Sequence, residues 1–188
     1  AVMHTNAVIP PATVGRIAGW DGETGRERDL IVSVGRLSPE KDHHTLLQAA
    51  KLLGTGRPWH LAVVGDGPER TSLEAFAREN GLSDRMTFTG HVQDPFAWMM
   101  RASIAVCSSV YEGLCNAIIE ALACGTAVVS TNCPFGPREV LVDGRYGTLV
   151  PVGDAPALAS AIESALTAPT DRKLLMTRGL DYTADRAA

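Results

Sequence analysis

Short apolar runs rich in β-branched residues alternate along the chain with longer segments in which apolar positions recur at helical spacing. Continuous apolar runs separated by helices are typical of parallel strands that are covered on both faces. The runs predict strands at residues 30–34, 61–64, 86–89, 104–107, 127–130 and 148–150. The segments between and after them predict helices at residues 42–53, 68–80, 95–101, 114–124, 137–141 and 155–168. This order predicts an α/β fold, a Rossmann-like doubly wound parallel sheet of about six strands, whose ligand lies at the carboxyl ends of the strands.

The two ends of the chain depart from this alternation. Residues 1–29 read as a linker between domains, and residues 30–168 as the folded domain itself. Residues 169–188 begin another helical segment that stops abruptly, and the chain does not start with Met. We therefore expect the chain to be one half of a larger protein.

Composition limits the classes of function. With 188 residues, 45% of them hydrophobic and 20% charged, the chain suits one globular domain with a substantial core. The net charge of −4 gives no general attraction to nucleic acid or to anionic membranes, so local groups must bind any anionic ligand. No apolar run approaches the roughly 18–20 residues of a membrane span. We expect a cytoplasmic protein without a nucleic-acid partner, and the sequence leaves peripheral membrane association open.

The four cysteines do not form a metal or disulfide pattern in the sequence. Cys107, Cys115, Cys124 and Cys133 contain no Cys-x-x-Cys pair, and their spacing suits neither zinc nor a disulfide framework. They fall in apolar segments and are expected to be reduced core thiols. A reactive Cys115 is left open, because a helix N-terminus lowers thiol pKa. Since no clustered His or Asp suggests a metal either, we expect no metal and no other cofactor.

Residues 112–120, which read Glu-Gly-Leu-Cys-Asn-Ala-Ile-Ile-Glu, are the most informative segment. Glu112 precedes a predicted helix, where free backbone N–H groups and the helix dipole favour an anion. The helix is apolar nearly all round, so a charged Glu120 is costly there unless something hydrogen-bonds to it. One interpretation is a phosphate-bearing ligand at the helix start with an acid on each side. The alternative is a surface Glu112 and a Glu120 that reaches solvent from the helix edge.

The first two strand ends carry further candidates. Gly35 allows a tight turn after the first strand, and Arg36 and Lys41 place two cations where this fold binds its ligand. They predict a diphosphate clamp, the alternative being a solvated surface pair. The second strand is followed by Gly-Asp-Gly at residues 65–67, which lacks the third glycine of the dinucleotide fingerprint. A nicotinamide-dependent dehydrogenase is therefore disfavoured.

The third strand end and a late loop are less specific. Gly90 would let the main chain approach a planar group that His91 could contact, although a single His is more often structural or solvated. The loop at residues 131–139 ends in Glu139, which is either a helix cap or a ligand contact.

In this order the motifs resemble the C-terminal, donor-binding domain of retaining GT-B glycosyltransferases of family 4, the glycosyl transferases group 1. The resemblance covers nearly the whole chain. It departs from the family at Cys115, where Gly or Pro is usual, and at Ala127, where Pro is usual. The matching motifs are Val34-Gly35-Arg36-Leu37 with Lys41, Val64-Gly65-Asp66-Gly67, Phe88-Thr89-Gly90, the acid pair Glu112 and Glu120, residues 120–126, and Gly144-x-x-Gly147-x-Leu149-Val150.

The resemblance implies a role for each candidate. Arg36 and Lys41 would hold the donor diphosphate and stabilise charge on the leaving group without a metal. Glu112 would bind hydroxyl groups of the transferred sugar, completing a catalytic set with those two cations. Glu120 would bind the ribose hydroxyls, which would explain a carboxylate in an apolar helix. The other donor-binding residues that it implies, mostly through their backbone, are Gly35, Gly65, His91, Val92, Gly113, Leu114 and Cys115.

The resemblance also implies an activity for the whole protein. The family transfers a glycosyl group, with retention, from a nucleotide-diphosphate sugar to an acceptor, and residues 132–139 resemble members that use a UDP-hexose or a UDP-N-acetylhexosamine. The acceptor, a glycan, lipid or other small molecule, would be bound by an N-terminal domain absent from this chain, so the chain alone is expected to be inactive. Residues 182–186 resemble the start of a helix that crosses back to that domain. A nucleotide-sugar binding module without activity and a sugar-nucleotide epimerase are the alternatives, and the acid–seven residues–acid motif disfavours the epimerase.

Overall fold

The computed structural model describes residues 9–20 and 24–183, and it confirms the predicted α/β architecture. All neighbouring strands of its single six-stranded sheet are parallel. The strands are β1 (Glu27–Val34), β2 (His60–Val64), β3 (Met86–Gly90), β4 (Ala102–Cys107), β5 (Ala127–Thr131) and β6 (Thr148–Val150). Their order across the sheet is β3-β2-β1-β4-β5-β6, so the direction of winding reverses between β1 and β4. Doubly wound folds bind ligands at this switch point, outside the carboxyl ends of the strands.

Helices cover both faces of the sheet. They are α1 (Pro11–Ala18), α2 (His43–Leu52), α3 (Arg70–Glu79), α4 (Pro95–Arg101), α5 (Asn116–Ala123), α6 (Pro137–Val140), α7 (Ala155–Thr167) and α8 (Arg172–Leu180). One apolar core joins the sheet to α2, α3 and α7, and a second joins its other face to α1, α4, α5, α6 and α8.

The apolar runs are continuous because each central strand is buried on both sides. In β1, Ile31 belongs to the first core, whereas Leu30 and Val32 belong to the second. Successive side chains of a strand point to opposite faces, so both must be apolar when both faces are covered.

The start of α5 is fixed by an unusual backbone conformation. The helix begins at Asn116, two residues later than the predicted start at residue 114, because Cys115 takes a left-handed φ of 56° as N-cap. At the other end, Gly125 has a φ of +62° and terminates the helix. Arg26 Nη2 donates to the carbonyl oxygen of Cys124 at 2.9 Å, and Arg172 Nη1 donates to that of Gly125 at 3.0 Å. These bonds satisfy carbonyl groups that a helix end leaves without partners.

The segment predicted as a linker contains regular structure. Helix α1 lies within residues 1–29, and β1 begins at Glu27 because Glu27 pairs with Ala102 at the start of β4. Ile17 of α1 is fully buried, and Ile9 forms an isolated bridge with Thr183. The rest of that segment, residues 1–8 and 21–23, lies outside the described residues, as do residues 184–186 of the motif at 182–186.

Among residues 9–20 and 24–183, no helix has the length and apolar character that crossing a bilayer requires.

Candidate functional site

A cleft in two parts lies at the switch point. Both parts share Val34, Gly35 and Arg36, which end or follow β1. The larger part, of about 590 Å³, extends towards the ends of β2 and β3. The smaller part, of about 320 Å³, extends over the loop between β4 and α5. These volumes match small-molecule sites, which typically enclose roughly 300–1,000 Å³.

The larger part depends on close contact between two strand ends. Gly65 has a φ of +144°, and a Cβ at this position would lie 1.9 Å from the carbonyl oxygen of Gly35. The N–H of Gly65 also donates to the carbonyl oxygen of Gly90 at 3.1 Å. His91 and Val92, which follow β3, line the same space, the first exposed and the second half-buried. The predicted candidates Gly35, Gly65, His91 and Val92 therefore lie together.

The smaller part holds an ion pair between two predicted site residues. Lys41 Nζ lies 2.6 Å from Glu112 Oε1, and Ser109 Oγ donates to the same oxygen at 2.6 Å. Glu112 is only 8% exposed, so the alternative of a surface Glu112 is wrong. Burial acts to lower the pKa of Lys41, but the hydrogen bond and charge of Glu112 outweigh it, and the pKa is raised. Lys41 is therefore held as a cation against a buried carboxylate.

Two polar groups of the smaller part are left for a ligand. Lys41 and Ser109 both bind Oε1 of Glu112. The other oxygen, Oε2, makes no hydrogen bond within residues 9–20 and 24–183. Among the described residues, the exposed side chain of Arg36 forms no hydrogen bond or ion pair either. The first can accept from a hydroxyl group, and the second can bind an anion.

The second acid of the motif, Glu120, is placed unfavourably for a charged group. It is half-buried on α5 and lines the smaller part, and its carboxylate has no hydrogen-bond partner in the described part of the chain. Burial raises the pKa of Glu120 to about 7. Glu112 and Glu120 thus line the same part of the cleft, together with the residues at the start of α5.

Backbone donors converge on the same place. The N–H groups of residues 113–117 have no acceptor among the described residues. They include the predicted Leu114 and Cys115, which line the smaller part, and the predicted Gly113, which lines neither part; the helix itself starts at Asn116. A helix start with free N–H groups favours a bound anion.

Two thiols also meet at this point, which their spacing in the sequence did not indicate. Cys107 Sγ lies 3.5 Å from Cys115 Sγ and 3.7 Å from Glu112 Oε1. The hydrogen bond with Cys115 lowers the pKa of Cys107 to about 7, whereas that of Cys115 is raised by the same bond and by burial. The thiol with the lowered pKa is therefore Cys107, and not Cys115 as the sequence left open. Cys124 and Cys133 are buried, and burial raises the pKa of their thiols to about 12 and about 11.

Sequence reasoning missed residues that support the site. Ser109 holds Glu112, and Thr131 Oγ1 in turn donates to the carbonyl oxygen of Ser109 at 2.6 Å. Their only signal in the sequence is that they follow or end the strands β4 and β5 next to the switch point. Glu139 is exposed on α6 and lines neither part of the cleft.

A parallel sheet wound in this order, with cations and free N–H groups at its switch point, defines the class of nucleotide-binding α/β domains. Within that class, residues 28–168 match the model of the family described as glycosyl transferases group 1. The chain belongs to this family.

Individual proteins similar to this chain include glycosyltransferases. The lipopolysaccharide core biosynthesis glycosyltransferase LpsE of Rhizobium meliloti (strain 1021) is 36% identical over 169 residues, covering 88% of this chain and 48% of that protein. The 2-deoxystreptamine glucosyltransferase of Streptomyces kanamyceticus is 31% identical over 188 residues, covering 98% of this chain and 48% of that protein. The chain spans about half the length of these curated relatives. The fold is also that of the pneumococcal O-GlcNAc transferase GtfA in complex with UDP and GlcNAc, with a TM-score of 0.79 at 20% identity over 89% of this chain and 35% of that one.

Proposed function

We propose that this chain is the donor-binding half of a retaining GT-B glycosyltransferase of family 4, and that its donor is a UDP-hexose or a UDP-N-acetylhexosamine. The observation that carries the proposal is Glu120, a half-buried carboxylate without a partner in the described part of the chain, in a cleft that also offers cations and free N–H groups. A ligand that combines hydroxyl groups with phosphates satisfies all of them at once. A nucleotide sugar is such a ligand.

The diphosphate belongs at the centre of the cleft, where its two parts join. Arg36 lines both parts, and residues 114–117, whose N–H groups have no acceptor among the described residues, line the smaller one. As the bond from sugar to diphosphate breaks, negative charge grows on the leaving group. Donors already fixed at that position stabilise the charge, and the loss of one typically costs on the order of 100-fold or more in rate. This arrangement needs no metal ion for the transfer.

The base and the ribose of the nucleoside contact different residues of the cleft. The base lies in the larger part, against the main chain near His91 and Val92. The ribose hydroxyls donate to Glu120, which then gains the partners that the protein does not give it.

The sugar lies on the other side of the diphosphate, against Glu112. Its hydroxyl groups donate to Oε2, while Lys41 and Ser109 hold Oε1 and fix the carboxylate. A fixed carboxylate orients the sugar for transfer, and orientation lowers the entropic part of the barrier. Lys41 acts on the sugar through Glu112 and adds positive charge beside the diphosphate.

The donor class rests on the comparisons together with the loop at residues 132–139. One relative is a glucosyltransferase, and the GtfA structure contains UDP and GlcNAc. The acceptor, a glycan, lipid or other small molecule, is bound by the part of the whole protein that the chain does not cover, and that part also determines any peripheral association with a membrane.

Calorimetric titration of the chain with UDP, GDP and ADP, each with and without Mg²⁺, tests the proposal. UDP is expected to bind selectively and with the same affinity when Mg²⁺ is omitted. Arg36→Ala should weaken UDP binding roughly tenfold or more, since it removes a charge-assisted contact to phosphate.

Arg28→Ala is the matched control. Arg28 is also exposed, but it lies near the start of β1, at the opposite end of the strand from the cleft. Equal affinity of wild type and Arg36→Ala for UDP would reject the diphosphate assignment. Binding that requires Mg²⁺ would reject the metal-free arrangement.

A further inference from the structure

Three metal-ligating side chains meet beside the smaller part of the cleft, which Glu112 and Cys115 line. The sulfur atoms of Cys107 and Cys115 and a carboxylate oxygen of Glu112 all lie within 4.8 Å of one another. Cys107 Sγ is 3.5 Å from Cys115 Sγ and 3.7 Å from Glu112 Oε1. Within residues 9–20 and 24–183, no other group of three such side chains is this close.

The fold holds these side chains in place. Cys107 ends β4, and Cys115 caps α5 in a left-handed conformation, so the loop between them turns back on itself. Ser108 Oγ donates to the carbonyl oxygen of Lys41 at 2.8 Å, and Thr131 Oγ1 donates to that of Ser109 at 2.6 Å. The loop is therefore fixed to Lys41, two residues before α2, and to Thr131, the last residue of β5, so the three side chains need little rearrangement to share a ligand.

The distances suit a tetrahedral metal ion. Zinc binds sulfur at about 2.3 Å and carboxylate oxygen at about 2.0–2.2 Å, which places neighbouring ligand atoms roughly 3.4–3.8 Å apart. Both separations from Cys107 fall in that range, and the ligand atoms of Cys115 and Glu112 lie within 4.8 Å of each other. Three protein ligands leave a fourth position, and Glu112 and Cys115 both face the smaller part of the cleft, so that position is accessible.

We propose that Cys107, Cys115 and Glu112 form a binding site for a thiophilic divalent cation of the Zn²⁺ class. Two thiolates select such a cation over Mg²⁺ or Ca²⁺, which prefer oxygen ligands. Binding releases one proton from each thiol and places three negative ligand charges around the ion. The cation replaces Lys41 as the partner of Glu112.

The site has a consequence for transfer, and this part rests on the proposed function. A cation bound to Oε1, together with the ligand in its fourth position, occupies the smaller part of the cleft, where the donor sugar lies against Glu112. The cation therefore inhibits transfer by the whole protein, and it plays no part in the reaction itself.

A titration of the chain with Co²⁺ tests the site directly. Co²⁺ takes the place of Zn²⁺ and gives a thiolate-to-metal charge-transfer band and the intense visible bands of a tetrahedral complex. The titration is done without oxygen and with a phosphine reductant, so that a disulfide cannot form. We expect both sets of bands to saturate at one equivalent and to disappear when Zn²⁺ is added. A wild-type spectrum without a thiolate band overturns the proposal.

Variants separate this site from other binding. Cys107→Ser and Cys115→Ser should each weaken Co²⁺ binding at least about tenfold and reduce the thiolate band, since each removes a ligand. Cys124→Ser is the matched control, because Cys124 is buried at the far end of α5, and it should leave the spectrum unchanged. A spectrum that is unchanged in the double variant Cys107→Ser/Cys115→Ser also overturns the proposal. Circular dichroism checks that each variant is folded.

Transfer by the whole protein tests the consequence. Zn²⁺ at about ten times its Kd should leave roughly a tenth of the activity of wild type and of Cys124→Ser. Cys107→Ser, with a Kd at least about tenfold higher, should keep at least about half of its activity at that concentration. Equal inhibition of Cys107→Ser would overturn the inhibitory role. A whole protein that transfers no sugar would instead contradict the proposed function, and the Co²⁺ spectrum would still decide whether the metal site exists.

Discussion

At the residue scale, Glu120 lowers the stability of the folded chain when it is charged, and the same carboxylate is the proposed acceptor for the ribose hydroxyls. Its folded-state pKa is raised from 4.5 to about 7 because burial disfavours the charged form. Between these two pH values the unfolded chain has lost this proton while the folded chain still holds it. The contribution of Glu120 to the free energy of unfolding is therefore most favourable below pH 4.5, falls as the pH rises to about 7, and is constant above that.

Glu120→Gln is expected to stabilise the chain without ligand at pH 8 by on the order of 1–3 kcal/mol, because an amide carries no charge to bury. The same change should weaken UDP binding, since the ribose loses a charged acceptor. Thermal unfolding between pH 4 and pH 8 measures the first effect, and the gain should vanish at the acid end. Glu79→Gln, on the exposed side of α3, is the control. A gain in stability that is the same at all pH values would contradict the assigned cause.

Alanine substitutions of Lys41 and Arg36 are predicted to differ in their effect on stability, although both residues are proposed to act on the donor. Lys41→Ala leaves Glu112 as a buried charge without its cation, and this should lower the free energy of unfolding by about 1–3 kcal/mol. Arg36→Ala removes an exposed side chain that forms no ion pair in the described part of the chain, so stability should change by less than about 0.5 kcal/mol. Urea denaturation of both variants checks this. Equal stability of the two would mean that the Lys41–Glu112 pair contributes nothing measurable.

At the scale of elements, the larger part of the cleft requires that β1 and β2 end in contact. Gly65→Ala would place a methyl group 1.9 Å from the carbonyl oxygen of Gly35, at a φ that alanine disfavours. The strand ends must separate, and we expect a loss of about 2–4 kcal/mol together with weaker UDP binding. Gly56→Ala is the control, because its Cβ would meet nothing within 4 Å. Thermal unfolding and UDP titration measure both effects, and a Gly65→Ala chain as stable as Gly56→Ala would contradict the requirement.

The elements themselves follow from the sequence, because strands buried on both faces read as unbroken apolar runs. The residues of the cleft were also predictable, since parallel strands bring their carboxyl ends together at one edge. What the sequence does not contain is how these residues pair. Lys41 and Glu112 are 71 positions apart, and both were predicted to contact the donor, yet they also contact each other. The late start of α5 depends on the left-handed Cys115, a conformation that no local pattern indicates for cysteine.

At the scale of the whole molecule, the Cys107–Cys115 contact is likewise one that the sequence does not reveal. The residues are eight positions apart, and their sulfur atoms meet only because the loop after β4 reverses before α5 begins. The usual spacing of zinc ligands in a sequence reflects short loops such as that of a Cys-x-x-Cys pair. The longer loop between Cys107 and Cys115 does not follow this spacing.

Comparing the chain with the whole protein should separate donor binding from sugar transfer, because the chain covers only about half the length of its relatives. The chain alone is expected to bind UDP and to show a rise in Tm with UDP concentration, as a ligand that binds only the folded state must produce. It is not expected to transfer sugar. In the whole protein, Glu112→Ala should lower kcat for transfer on the order of 100-fold while changing UDP affinity far less, because UDP has no sugar for Oε2 to hold. Steady-state kinetics beside UDP titration measures both quantities. Equal losses in the two would place Glu112 on the diphosphate, and would move the sugar elsewhere in the cleft.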